Sequence, residues 1–148
     1  MDEYYNNPEA NEASFWNGYF TVGDMALRDE EGYYYIVDRK KDMLISGGVN
    51  IYPREIEEVL YSHPSILDVA VIGVPDPVWG ESVKAIVVPR EGAVLTEQDV
   101  IDFCDGRLAS YKKPKSIDFM KELPRNPSGK ILKVELRSKF WEQQQIKI

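Results

Sequence analysis

Ser46-Gly47-Gly48-Val49-Asn50-Ile51-Tyr52-Pro53-Arg54-Glu55-Ile56-Glu57 is the stretch of this sequence that says most about the fold. Its two adjacent glycines separate two short apolar segments, a pattern that predicts a tight β-hairpin. Pro53 suits the first position of a helix, and Ile56, Val59 and Leu60 then recur at the spacing of one helical face. The stretch therefore predicts a hairpin that leads directly into an amphipathic helix.

Downstream of this stretch, apolar runs rich in valine and isoleucine predict strands at residues 67–74 and 82–88. Thr96 is expected to cap a further helix, and Cys104 falls on the apolar face of that helix, which predicts a core position. Two more elements are predicted, a strand at residues 115–120 and a helix at residues 134–144. Strands and helices do not alternate regularly, so we expect an α+β domain with a short antiparallel sheet packed against helices.

Upstream of the stretch, the sequence predicts an arm and a second hairpin. Pro8 can open a short helix, and β-rich runs at residues 19–27 and 33–37 flank a charged connection that ends in glycine. A charged cluster at residues 39–42 interrupts the apolar pattern. We therefore expect a boundary there, with residues 1–40 as one part of the chain and 41–148 as the main domain.

The composition limits the classes of function. The net charge of −7 argues against a nucleic-acid-binding protein. No apolar run approaches the roughly 18 residues of a membrane span, and the N-terminus lacks the pattern of a signal peptide, so a cytoplasmic location is expected. One cysteine and one histidine offer little to build a metal site. Residues 111–139 nevertheless hold nine basic and three acidic side chains, which suits either a small polyanion or an ordinary solvated face.

Three motifs occur in a fixed order along the chain. They are Val22-Gly23-Asp24 with Asp38-Arg39-Lys40-Lys41-Asp42, then the stretch 46–57, then Leu123-Pro124-Arg125-Asn126-Pro127-Ser128-Gly129-Lys130-Ile131-Leu132. As a set they resemble the C-terminal motifs of the adenylate-forming superfamily, which includes acyl-CoA synthetases, aryl-CoA ligases, beetle luciferase and peptide-synthetase adenylation domains. The resemblance implies that residues 1–40 are the tail end of a large N-terminal domain and that residues 41–148 are the C-terminal lid domain.

The resemblance also implies an activity. Such enzymes are acid-thiol ligases: they activate a carboxylic acid with ATP and Mg²⁺ to an acyl-adenylate, and then form a thioester with CoA, as in fatty acid metabolism. The phosphate loop and the acyl pocket of the family precede the region that matches here. The chain is therefore expected to be inactive alone and to meet its substrates together with the large domain.

Four charged residues match family positions that serve the adenylation step and the change of conformation. Lys130 matches the catalytic lysine that contacts the substrate carboxylate and the α-phosphate. Asp24 and Arg39 match residues that contact the ribose of ATP, and Lys41 matches the hinge about which the small domain rotates. The alternative for Asp24 is an ordinary aspartate at the edge of a hairpin, and for Arg39, Lys41 and Lys130 it is a solvated surface residue.

Three further residues match the CoA side of the family. Gly47 and Gly48 match the tight turn that lines the pantetheine tunnel, although turn geometry alone also accounts for two glycines. Trp79 matches a tryptophan that stacks on the CoA adenine in some relatives, and the alternative is an anchor in the core.

Tyr111, Lys113 and Lys115 match a segment whose basic residues meet the phosphates of CoA, and solvated lysines are the alternative. Two other functions remain open at this point: the end of a peptide-synthetase-type adenylation domain, and a non-catalytic binding module. In the family, the hairpin at residues 19–37 packs on the large domain. Its apolar side is therefore expected to be exposed, disordered or paired with a second copy of the chain.

Overall fold

The computed structural model describes residues 4–145, with side chains up to Glu142. It divides the chain into two compact units at the junction between Lys41 and Asp42, and each unit is described by itself. The charged cluster at residues 39–42 therefore lies where the units meet in sequence. That residues 1–40 are the end of a larger domain stays a prediction.

Within residues 4–41, the first unit contains one short helix and two antiparallel strand pairs. Its elements are α1 (Pro8–Ser14), β1 (Phe15–Trp16), β2 (Tyr19–Phe20), β3 (Asp24–Arg28) and β4 (Tyr34–Arg39). The helix predicted to open at Pro8 is confirmed, and the side chain of Asn7 caps it by accepting the N–H of Ala10 at 3.1 Å. The strand β1 pairs with β2, and β3 pairs with β4.

The single strand predicted for residues 19–27 is wrong in one respect, because the chain divides it into β2 and β3. Gly23 lies between them with φ of +75°, a conformation that costs little only for glycine. The two halves consequently pair with different strands, Phe20 with Phe15 and Asp24 with Arg39.

The second unit is an α+β domain built on one sheet, as predicted. Its elements are β5 (Leu44–Ser46), β6 (Val49–Ile51), α2 (Pro53–Tyr61), β7 (Ile66–Asp76), β8 (Gly80–Pro89), α3 (Glu97–Phe103), a 3₁₀ turn (Ser110–Lys112), β9 (Ser116–Phe119) and α4 (Lys133–Gln145). No helix within residues 4–145 is long and apolar enough to cross a membrane.

The sheet has the order β6-β5-β8-β7, and β9 also pairs with β8. The β5–β6 hairpin turns at Gly47 and Gly48, as the opening stretch of the sequence predicts. The long β7–β8 hairpin is antiparallel, whereas β9 runs parallel to β8 from Ser116 to Phe119. The expectation of an antiparallel sheet is thus correct for every pairing except the last, where α3 connects β8 to a parallel neighbour.

Helices cover both faces of the sheet. On one face, Val69 and Val71 of β7 belong to a core cluster that also contains Ile56, Leu60, Val100 and Cys104. On the other face, Ala70, Ile72 and Val74 pack with Leu123 and Leu136. Successive residues of a strand point to opposite faces, so burial on both sides explains why β7 and β8 are almost continuously apolar.

The second core helix, α3, begins at the cap that the sequence predicts, and it ends at Phe103. The side chain of Thr96 accepts the N–H of Asp99, whose carboxylate in turn accepts the N–H of Thr96 at 2.8 Å, forming a capping box. Cys104 is fully buried at the other end. Cys104 is therefore the core residue that the sequence predicts, and burial raises the pKa of its thiol.

Candidate functional site

The predicted CoA-site residues Gly47, Trp79, Tyr111 and Lys115 come together in one pocket of the second unit. The pocket has a volume of about 260 Å³, and it is completed by Ser46, Val49 and Ser110. Trp79 keeps 51% of its surface exposed. The indole therefore forms a pocket wall and is not the core anchor that the sequence left as the alternative.

The β5–β6 turn and the β7–β8 turn build this pocket by direct contact. The N–H of Gly47 donates to the carbonyl of Trp79 at 2.9 Å. A Cβ at Gly47 would lie 2.7 Å from Cε3 of Trp79, and the residue has φ of +57°. Two constraints thus require glycine here: the left-handed backbone and the indole packed against it.

Asp76 shapes the loop that presents Trp79. Its carboxylate accepts the N–H of Val78 at 2.9 Å and that of Trp79 at 3.0 Å. These backbone donors, that of Trp79 first, hold the pKa of the Asp76 carboxyl below its usual value. Sequence reasoning missed Asp76. An aspartate at the start of a turn is nevertheless a known signal, because its side chain can accept the backbone N–H groups two and three residues later.

Lys115 places a positive charge at the indole face. Its ammonium lies 5.2 Å from the centroid of the Trp79 ring and 3.8 Å from the Asp76 carboxylate. An ammonium at this distance from an indole makes a cation–π contact. The pocket therefore combines a flat aromatic wall with one cation.

The other predicted residues of this group do not line the pocket. Lys113 forms an ion pair with Asp105, and the neighbouring Lys112 pairs with Glu55 at 2.7 Å. Gly48 completes the hairpin turn with φ of +81°, and a Cβ there would meet nothing within 4 Å. The structure thus brings Lys115 to the pocket and directs Lys113 to a different partner.

Lys130 lies on an exposed loop between β9 and α4. Within residues 4–145, no hydrogen bond or ion pair engages its ammonium, whereas its backbone is held firmly. The carbonyl of Lys130 accepts the N–H of Asn126 at 2.9 Å, and its own N–H donates to Oδ1 of Asn126 at 2.8 Å. The loop thus presents a solvated cation on an ordered backbone.

The ends of this loop are attached to the domain by two ion pairs. Arg125 contacts the carboxylate of Asp68 on β7. Lys133 pairs with Glu57 of α2 at 2.7 Å, and both side chains are 15% exposed. Sequence reasoning singled out only Lys130, because partners far apart in sequence leave no local pattern. The segment Asn126-Pro127-Ser128-Gly129, in contrast, is a readable turn signal.

In the first unit, Asp24 and Arg39 are opposite each other on β3 and β4. Their side chains are 3.6 Å apart, and both are partly exposed. Lys41 lies in the turn that follows β4 and is the last residue of the first unit. Among the described residues, His, Cys, Asp and Glu side chains form no group of three that could hold a metal ion.

Comparison with known proteins finds one family model and relatives that are named as CoA ligases. The family described as AMP-binding enzyme C-terminal domain matches residues 55–130. The chain is 51% identical over 140 residues to a long-chain-fatty-acid–CoA ligase of Mycobacterium tuberculosis, covering 95% of this chain and 28% of that protein. It is 48% identical over 134 residues to a 2-succinylbenzoate–CoA ligase of Bacillus cereus, covering 90% of this chain and 27% of that protein.

Solved structures agree with this. The o-succinylbenzoate CoA synthetase from Bacillus subtilis, in complex with its acyl-adenylate intermediate, superimposes with a TM-score of 0.85 at 43% identity, covering 92% of this chain and 28% of that one. ATP-bound MatB from Rhodopseudomonas palustris superimposes with a TM-score of 0.83 at 42% identity, covering 93% of this chain and 27% of that one. The chain thus spans little more than a quarter of the length of these relatives.

Proposed function

Because the chain belongs to the AMP-binding enzyme C-terminal domain family, we propose that it is the C-terminal portion of an ATP-dependent acyl-CoA synthetase. In this reaction a carboxylate attacks the α-phosphorus of ATP and releases pyrophosphate. The thiol of CoA then attacks the acyl-adenylate and releases AMP. The CoA ligases among the relatives support this class of reaction.

The observation that carries the proposal is the pocket of Trp79. CoA offers an adenine, which stacks on aromatic faces, and phosphates, which favour a nearby cation. Trp79 and Lys115 provide these two features 5.2 Å apart, and Gly47 lets the backbone approach closely. A carrier-protein phosphopantetheine has no adenine, so the pocket favours free CoA as the acceptor.

Lys130 is proposed as the catalytic residue of adenylation. An ammonium can offset the negative charge that develops at the α-phosphorus and the attacking oxygen. Its exposed position on an ordered loop allows it to reach a substrate held elsewhere. A lysine suits this task because it is a compact charge on a flexible stem.

The first unit is proposed to contribute to the nucleotide site. The carboxylate of Asp24 can accept hydrogen bonds from both ribose hydroxyls, and Arg39, 3.6 Å away, can keep this carboxylate oriented. Lys41 is proposed as the hinge between the two half-reactions, which its place at the junction of the units supports. We assign none of residues 4–145 to the Mg²⁺ that accompanies ATP.

The relatives act on different acids, since one is named for long-chain fatty acids and another for 2-succinylbenzoate. The acid used here is accordingly proposed only as a carboxylic acid, and the cytoplasm is proposed as the location. Pairing of two copies through the hairpin at residues 19–37, in which Tyr34, Tyr35 and Ile36 are exposed, also stays a prediction. Sedimentation analysis at several protein concentrations would test it.

Titration of the isotope-labelled 148-residue chain with CoA, followed by NMR, tests the acceptor site. We expect dissociation in the millimolar range, about 4 kcal/mol, with shifts at Gly47 and Trp79. Trp79→Ala and Lys115→Met should each weaken binding, and dephospho-CoA should bind less well if a lysine meets the 3′-phosphate. Lys121→Met removes one exposed positive charge elsewhere and serves as the control.

If Lys115→Met and Lys121→Met weaken CoA binding equally, the loss comes from the overall charge of the chain. That result would refute the pocket as the CoA site. Lys113→Met separates the two lysines of the segment. The ion pair with Asp105 leads us to expect a smaller effect from Lys113 than from Lys115.

The adenylation step requires a complete enzyme. A chimera in which this chain replaces the matching 28% of the mycobacterial ligase provides one. Fatty acid-dependent pyrophosphate release by the chimera, together with its loss in the Lys130→Ala variant, is the expected result. Full release by that variant would refute the catalytic assignment.

A further inference from the structure

The loop that carries Lys130 is organised by one side-chain oxygen. Oδ1 of Asn126 accepts the N–H of Lys130 at 2.8 Å, the N–H of Ser128 at 3.1 Å and the hydroxyl of Ser128 at 2.8 Å. The N–H of Gly129 donates to the carbonyl of Asn126 at 2.9 Å. In all four bonds Asn126 is the acceptor. In the opposite direction, the N–H of Asn126 donates to the carbonyl of Lys130 at 2.9 Å.

A second residue attaches this loop to the sheet. Nη1 of Arg125 donates to the carbonyl of Gly129, directly before Lys130, and Nη2 of Arg125 contacts the carboxylate of Asp68. A guanidinium can make both contacts at once because its donors are arranged in a rigid fork. The loop therefore has a fixed connection to strand β7.

Asp68 is itself held in place. Its Oδ1 accepts the hydroxyl of Tyr61 at 2.6 Å and the N–H of Val69 at 3.0 Å. Burial and the hydrogen bond to Asp68 raise the pKa of Tyr61 to about 12, so the phenol remains a donor at neutral pH. The anchor for Arg125 is thus a partly buried carboxylate with three donors.

We propose that Asn126 and Arg125 are positioning residues that fix the backbone of Lys130 in the geometry used for adenylation. An exposed loop of this length would otherwise lose conformational entropy when its lysine meets the substrate. Here internal bonds have already restricted the backbone, while the ammonium stays available. The inference rests on the proposed function of Lys130.

The first test uses the 148-residue chain and does not depend on activity. In Asn126→Ala, amide hydrogen exchange at Ser128 and Lys130 should be at least about ten times faster, since unbonded exposed amides lose their protection. Exchange at the core amide of Val87 should stay unchanged, which establishes that the fold is intact. Asn126→Asp keeps an acceptor oxygen and should restore protection.

The second test measures both half-reactions in the chimera. Misplacing a catalytic group by about 1 Å can cost 10²-fold in rate, so Asn126→Ala and Arg125→Met should lower kcat/KM for adenylation by roughly 10- to 10²-fold. Thioester formation from pre-made acyl-adenylate should change little. Asn126→Asp should recover adenylation, and Lys121→Met controls for the loss of a positive charge.

The outcomes separate the two proposals. If Lys130→Ala leaves adenylation intact, the proposed function of Lys130 fails. If Lys130→Ala abolishes adenylation but Asn126→Ala loosens the loop without slowing that step, only the positioning role is overturned. Failure of Asn126→Asp to rescue, or unchanged exchange at Lys130 in Asn126→Ala, also overturns it.

Discussion

Replacing Gly47 with alanine tests the contact that builds the Trp79 pocket. The substitution places an L-residue at φ of +57°, and a left-handed conformation costs about 1–2 kcal/mol for a non-glycine residue. The new Cβ would also lie 2.7 Å from Cε3 of Trp79, so the indole must move. We therefore expect two separate contributions to the loss of stability.

The second contribution can be bounded from the burial of the indole. Trp79 is about half exposed, and a fully buried aromatic side chain covers 150–250 Å². Displacing the buried half thus exposes roughly 100 Å², or about 2.5 kcal/mol at 25 cal/mol per Å². Because the ring can find partial contacts elsewhere, this figure is an upper limit.

Urea unfolding of the 148-residue chain and a double-mutant cycle measure the two contributions separately. Gly48→Ala is the matched control, since its φ is +81° and its Cβ would meet nothing within 4 Å. Gly47→Ala should cost more than Gly48→Ala by up to about 2.5 kcal/mol. In a Trp79→Ala background this excess should disappear.

An equal cost for the two glycines, with no coupling between Gly47 and Trp79, would refute the packed geometry of the pocket. The same variants also report on function. Gly47→Ala should weaken the CoA-induced NMR shifts, whereas Gly48→Ala should leave them largely in place.

Four further predictions concern other parts of the chain. By itself, the 148-residue chain should release no pyrophosphate from ATP and a fatty acid above the Lys130→Ala background in a coupled pyrophosphate assay. In the chimera, Lys130→Ala should slow adenylation about 10²-fold or more but spare thioester formation from pre-made adenylate; equal losses in stopped-flow assays of both steps would contradict this. Lys41→Pro should do the opposite, because proline fixes a backbone torsion at the proposed hinge, and unimpaired thioester formation would remove Lys41 from that role. The pKa of Asp76 is lowered from its unfolded value of 3.8, so its carboxylate stabilises the fold above that pH, and this stabilisation is lost as the pH falls through the folded pKa. Asp76→Asn should therefore lower Tm at pH 7. In thermal scans, the difference in Tm should shrink toward pH 2.

Local patterns predicted the elements whose causes are local. The Gly47-Gly48 turn, the helix after Pro53 and the cap at Thr96 each depend on residues within a few positions of one another. The apolar runs of β7 and β8 were equally readable, because burial on both faces removes the polar alternation. Each of these predictions is confirmed.

Contacts between distant residues were the part that sequence patterns did not reveal. The strand at Ser116 pairs in parallel with β8, yet its periodicity would be the same beside any neighbour. Lys113 and Lys115 look alike in sequence, and only the positions of Asp105 and Asp76 distinguish their surroundings. The resemblance supplied candidate roles, whereas side-chain geometry decides which candidates share a pocket.

The two candidate sites of the second unit are attached to opposite ends of one strand. Asp76 is the last residue of β7 and shapes the Trp79 loop. Asp68 lies near the start of β7 and holds Arg125, which contacts the Lys130 loop. Eight residues at about 3.3 Å each separate these anchors by roughly 26 Å. A sheet packed on both faces keeps this separation, so the Trp79 pocket and the Lys130 loop are held at opposite ends of the strand. The proposed hinge, Lys41, directly precedes this unit, so a rotation there would move both sites together.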